Sequence, residues 1–135
     1  MASVNMTQGL KMVGDRASGV SGAAAAIAGM TFDNNTVAFV NTHTACNTGG
    51  ASPNIQGNAL DSTPTGGSAA TPYVVSHICT LTAGQFNGNT VKRIALHNTS
   101  SPTDSTTSLM FGVDGFSLVK AATFALVPTF KLSYT

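Results

Sequence analysis

The chain has 135 residues, of which 8% are charged, against about 25% in a typical soluble protein; there are five Asp, no Glu and no Trp. A net charge of +1 from scattered cations excludes a basic stripe for nucleic acid, because phosphate affinity scales with the cations brought to it. No apolar run reaches the roughly 18 to 20 residues of a membrane-spanning helix, and two cysteines make neither a disulfide framework nor a zinc set.

This length suits one domain, whose core buries roughly two-thirds of the surface of the unfolded chain. A free monomer usually keeps a surface of roughly 25–35% charged residues. Here Ser, Thr, Asn and Gly must replace that charge, or neighbouring subunits must cover the surface. The Ala-rich segment from Gly22 to Met30 is short, made of small side chains and preceded by no basic cluster, so it is not read as a signal peptide. The expected place of synthesis is a cytoplasm.

In chain order, Asn5 and Thr7 are candidate caps, and Met6, Leu10 and Val13 fall at helical spacing. A short helix is expected over Thr7 to Ala17, weakened by Gly9 and Gly14. Residues 1–30 therefore read as an N-terminal arm with a short helix and an Ala/Gly-rich connector, and residues 31–135 as a β-domain. In Met30 to Asn41, Asp33-Asn34-Asn35 is turn chemistry, and Thr36 to Val40 is β-branched and aromatic, so a strand pair, or a strand after the turn, is expected. The stretch at 42–71 is rich in Asn, Gly, Ser, Thr and Pro and reads as a long loop, the expected place for contacts to other subunits.

Tyr73 to Leu81 alternates as a strand, with Tyr73, Val75, His77, Cys79 and Leu81 on one parity. Asn87-Gly88 is a hairpin signal leading into a strand from Thr90 to His97. Apart from Pro102, the loop from Asn98 to Ser108 holds no apolar residue and is expected to be exposed. Asp114-Gly115 marks a further tight turn between Leu109 to Val113 and Phe116 to Lys120. In the last segment Phe124, Leu126, Phe130, Leu132 and Tyr134 share one parity, the period of a half-buried strand. Pro128 lacks an N–H and places that strand at a sheet edge or a bulge. Six or seven strands after a short helix give a mainly β fold, an antiparallel β-sandwich or small barrel.

Each cysteine follows a histidine, in His43-Thr-Ala-Cys46 and His77-Ile-Cys79. A Cys2His2 metal site from His43, Cys46, His77 and Cys79 is one reading; two buried thiols beside polar histidines is the other and the preferred one, since the spacing matches no zinc motif. A single disulfide is also open. His43 reads as a loop residue, His77 as a core or interface residue, and His97 as a strand end facing solvent. No Ser sits in a Gly-x-Ser-x-Gly elbow, paired carboxylates reduce to Asp pairs, and no glycine loop is followed by the Lys and helix that cradle a phosphate. No enzymatic activity and no cofactor is therefore expected.

Three segments, MTQGLKMVGDRASG, VKRIALHNT and LMFGVDGFSLVKAATFALVPTFKLSYT, resemble small β-rich virion proteins of tailed bacteriophages. The residues that carry the likeness are Val91, Ile94, Leu96, Asn98, Phe116, Lys120, Phe124, Leu126, Phe130, Leu132 and Tyr134. The likeness spans the opening helix and Val91 to the carboxyl end, and it is a pattern of residue types with no catalytic signature. It implies a structural role in the virion, assembled in the host cytoplasm. The first expectation is a capsid decoration (cement) protein bound to the major capsid protein through its arm and long loop, and forming homo-oligomers. The alternatives are a tail tube, baseplate or tail-fibre subunit, or a carbohydrate- or receptor-binding β-sandwich. Nucleic acid and membrane are not expected partners.

Overall fold

The computed structural model describes residues 2–22, 25–48, 54–66, 73–115 and 117–134. It is mainly β, with antiparallel sheets packed in a sandwich-like way and one short N-terminal helix. The elements are β1 (Ala2–Asn5), α1 (Thr7–Ala17), β2 (Gly29–Asp33), β3 (Ile55–Ala59), β4 (Thr65–Gly66), β5 (Tyr73–Ile78), β6 (Thr90–Val91), β7 (Arg93–His97), β8 (Leu109–Asp114), β9 (Leu118–Val119) and β10 (Thr129–Tyr134). A five-stranded sheet runs β1-β8-β7-β2-β3, a three-stranded sheet runs β10-β5-β4, and β6 pairs with β9. No described helix is long and apolar enough to cross a membrane.

The main core fills the space between the two larger sheets. Met30 and Phe32 of β2, Leu96 of β7 and Phe111 of β8 meet Phe130 and Leu132 of β10, and Met12 of α1 closes the same cluster. Burial of this kind is the main stabilising term, at roughly 1.5–3 kcal/mol for each large side chain. β2 is paired on both sides and buried at all five positions, so its alternate residues reach two different environments. Met30 and Phe32 enter the main core, while Thr31 and Asp33 face the opposite side of the sheet.

That opposite side is covered by backbone without regular structure. Residues 34–48 and 99–108 lie over it, held to each other by the Asn47 N–H, which donates to the Asp104 carbonyl at 2.9 Å. A second cluster of Met6, Phe39, Cys46, Ala95 and Leu109 fills this layer. Close approach requires glycine beneath it: a Cβ on Gly57 would sit 1.9 Å from the Pro102 carbonyl oxygen, and one on Gly112 would sit 2.5 Å from the Phe39 ring.

Several expectations hold. The helix spans Thr7–Ala17, and β10 is an edge strand with Phe130 and Leu132 buried and Lys131 and Ser133 exposed. Pro128 immediately precedes its first residue.

Others are corrected. The stretch at 42–71 contains β3 and β4, so it is not one long loop. β3 has the polar sequence IQGNA and is a strand because β2 pairs with its whole length; its amides find partners beside it, Gln56 donating to Asn58 and Asn58 to Gln85, the latter at 2.9 Å. Thr36 to Val40 is not a strand; side chains of the sheet take up its backbone groups instead. The turn at Asn87-Gly88 exists, and the chain bends at Gly115, with glycine φ of 76° and 77°, but neither position joins a hairpin. The strands around the first go to different sheets, and β9 pairs with β6, not with β8.

The Asn98 to Ser108 loop is only partly exposed, since Pro102 and Ser108 are buried. The arm is built into the domain: β1 is a strand of the larger sheet, and Met6 and Met12 are buried. Phe116 and parts of the 42–71 stretch lie outside the described residues.

Candidate functional site

The chemically versatile side chains are gathered on the covered face of the five-stranded sheet. β2 and β7 pair in register, bringing Asp33 opposite Arg93 and Thr31 opposite Ala95, with His97 at the end of β7. Arg93 donates from Nε to Asp33 Oδ1 at 2.8 Å and from Nη2 to Asp33 Oδ2 at 2.9 Å, and both residues are almost wholly buried. The guanidinium also donates to the Val37 carbonyl at 3.0 Å and the Cys46 carbonyl at 2.6 Å, and its carbon lies 4.3 Å from the centre of the Phe39 ring. Asp33 Oδ1 further accepts the Asn35 N–H at 2.9 Å, Asn35 Oδ1 accepts the Val37 N–H at 2.8 Å, and Asp114 accepts the Phe39 N–H. Burial pushes the Asp33 carboxyl above its ordinary range, and the Arg93 guanidinium pulls it back.

This explains the irregular course of residues 34–40. The N–H groups of Asn35, Val37 and Phe39 and the Val37 carbonyl are taken up by the side chains of Asp33, Asn35, Asp114 and Arg93 in place of a strand ladder.

Next to the ion pair lies a thiol–imidazole group. Thr31 Oγ1 is 2.9 Å from His97 Nε2 and 3.4 Å from Cys46 Sγ, His97 Nδ1 is 3.1 Å from Ser108 Oγ, and Cys46 Sγ is 3.7 Å from His97 Nε2. The expectation of a solvent-facing His97 is therefore corrected: it has no exposed surface. Its side of β7 also carries Arg93, whose pairing with Asp33 turns that side inward. Burial pushes the Cys46 thiol up to about 12 and the His97 imidazole down to about 4. At neutral pH the pair is thiol and neutral imidazole, the reverse of the ionised pair that makes a cysteine nucleophilic. As placed, these groups tie the covering segments to the sheet.

The quartet of His43, Cys46, His77 and Cys79 is not brought together, and no cluster of three or more metal-ligating side chains occurs among the described residues. Cys46 belongs to the second cluster and Cys79 to the main core, and both thiols are free. His43 is a buried loop residue packed edge-on to Phe39, with ring centres 6.4 Å apart. His77 and Cys79 are both buried, as a shared strand face requires, while Ile78 between them is exposed. Cys79 donates to the Ala59 carbonyl at 3.3 Å, and burial pushes its thiol up to about 12.

The surface feature with the most evident capacity for contact is the open side of the sandwich. At one side the sheets are linked by the short passage from β3 to β4; at the other, β1 and β10 are both terminal strands. Between them runs a trough in two parts. One part, of about 360 Å³, has Phe111, Phe130 and Leu132 among its walls, with Leu10 of α1. The other, of about 330 Å³, is lined by Ser3, Ile94, Val113 and Pro128 to Lys131. Among the described residues, Lys131 is the sole ionisable residue lining either part. Sequence reading found β10 and missed β1, whose four residues ASVN have no pattern and form a strand because β8 supplies the partner.

No family model, no curated protein and no solved structure matches this chain.

Proposed function

We propose that the chain is a structural subunit of a tailed-bacteriophage virion, a head decoration (cement) protein that binds the assembled shell and stabilises it by mass action. The observation that carries this reading is the open side: among the described residues, two strand edges without a further partner strand flank a trough that has apolar surface at Phe111, Phe130 and Leu132 and a single charged side chain, Lys131, on its walls. A strand edge is a template for pairing with another chain, and a sparsely charged trough loses little solvation on being covered. The composition supports the same reading, since a subunit with 8% charged residues suits surfaces that neighbours cover. Many such contacts repeated around a symmetric particle add up to avidity without one strong site. The resemblance to small phage virion proteins points the same way. Because α1 and β1 are built into the domain, the docking surface is assigned to the open side in place of a free arm.

Fractionation of phage particles tests the reading. Recovery of the chain with tail-less heads, and its rebinding to heads stripped of it, is the expected result. Recovery with isolated tails would move it to the tail tube, baseplate or fibre, and recovery with neither would end the virion assignment.

A further inference from the structure

We propose that β10 pairs with β10 of a second copy of this chain, antiparallel about a two-fold axis through Leu132, so that two three-stranded sheets become one six-stranded sheet. The proposal deepens the virion reading, naming a second copy as what covers the β10 side of the open trough and leaving the β1 side to the shell, and rests on that reading only for its biological setting. β10 has β5 along one side and, among the described residues, no strand along the other. Its free side therefore presents backbone donors and acceptors in the alternation that a second strand matches.

The register follows from charge and parity. Around a two-fold axis perpendicular to the sheet, residues that face each other lie on the same side of it. On β10 the inner positions are Phe130 and Leu132, and the outer ones are Thr129, Lys131 and Ser133. Two central registers meet this condition. One centres on Lys131 and sets two ammonium groups directly opposite each other, which is unfavourable. The other centres on Leu132, sets Leu132 against its counterpart, Phe130 against position 134, and each Lys131 against a Ser133 hydroxyl. Lys131 thus selects a register without preventing pairing.

The second copy also fits what lies beside the strand. The trough next to β10 exposes the edge of the main core at Phe130 and Leu132, with Leu10 at its rim 55% exposed. A partner with the same low charge adds to this surface only its own Lys131, whose side chain stays on the exposed outer face. Any charged partner would have to be complementary to Lys131 alone.

Sedimentation equilibrium of the full chain, from micromolar to millimolar concentration, tests the proposal with substitutions at the exposed Ser133. Wild type is expected to dimerise. Ser133→Lys places two Lys–Lys oppositions in each interface and should weaken the dimer by at least about tenfold. Ser133→Glu should tighten it, and the charge-exchanged Lys131→Glu/Ser133→Lys variant should recover it. Circular dichroism of each variant, expected to be unchanged, separates loss of pairing from loss of folding. A monomer at every concentration overturns the proposal, as does a dimer whose affinity is the same in all four proteins. A monomer that still binds heads would sink the pairing and leave the virion reading intact; a charge-sensitive dimer that binds no particle would do the reverse.

Discussion

Arg93 grips Asp33 through two parallel hydrogen bonds of 2.8 and 2.9 Å across the pair of strands at the centre of the larger sheet, and both groups are about 1% exposed. The same guanidinium reaches the carbonyls of Val37 and Cys46. Removing one partner leaves the other charge buried and uncompensated, which costs about 3–5 kcal/mol. Arg93→Met should therefore lower the unfolding free energy by that order in urea titration. Faster amide exchange should be confined to residues 34–48, which lose two anchors. Pairing it with Asp33→Leu should restore a large part of the stability, because no lone charge then remains in the core.

His97 gives the fold a dependence on acid. Its imidazole is held down at about 4, against 6.5 for an ordinary histidine, because it is buried. Between those values the unfolded chain takes up a proton that the folded chain refuses, so stability rises with pH through this window. The contribution is complete above about pH 6.5 and is lost as pH falls toward 4, at most about 1.4 kcal/mol per pH unit for one histidine. His43 and His77 are also lowered by burial and add in the same direction. Urea midpoints measured from pH 7 to pH 4 should fall, and His97→Gln should fall less steeply.

Legibility in the sequence followed the range of the forces. β10 could be read because Phe130 and Leu132 contrast with Lys131 and Ser133 at a period of two; the bounds of α1 could be read too, but not its face, since Leu10 is exposed and the helix buries Gly9 and Met12. The face that holds the chemistry could not, because its members are far apart in the chain. Asp33 and Arg93 are separated by 60 positions and Thr31 and His97 by 66, and nothing local marks either pair. β3 was hidden for a different reason: Gln56, Gly57 and Asn58 look like loop residues until Gln85 and Pro102 arrive to bond the amides and to require the glycine.

Two glycines of α1 should respond in opposite ways to the same substitution. A Cβ at Gly14 meets nothing within 4 Å, whereas one at Gly9 would lie 2.1 Å from the Met110 carbonyl oxygen. Gly14→Ala should stabilise by about 0.5–1 kcal/mol through helix propensity. Gly9→Ala should destabilise despite the same propensity gain, because α1 must lift from β8; strain of this kind costs about 1–3 kcal/mol. Thermal unfolding of the two variants side by side gives the sign directly.

Lys120 has no exposed surface and no carboxylate partner among the described residues. Its ammonium donates to the Ala121 carbonyl at 2.8 Å, Asn87 Oδ1 at 3.1 Å and the Ala83 carbonyl at 3.4 Å, and lies 5.2 Å from the centre of the Phe124 ring. It holds the turn at residues 83–88 against the strand end. Asn87→Asp replaces a neutral acceptor by a charged one at the same place and should stabilise by about 1 kcal/mol, less at high salt because residue 87 is exposed. Asn87→Ala should destabilise by a similar amount. Equal stability of all three proteins in low salt would show that Lys120 does not depend on this side chain.

Phe130 links the stability of the fold to the surface assigned to partners. The residue is 9% exposed, packs in the main core and also lines both parts of the trough. Phe130→Ala removes a buried aromatic from the seam between the two sheets and should cost about 3–5 kcal/mol in urea unfolding. Phe130→Leu, which keeps apolar volume there, should cost less. Particle binding by the Leu variant, at a temperature where it is folded, then reports on the trough alone: weaker binding with folding intact assigns Phe130 to the interface, and unchanged binding confines it to the core.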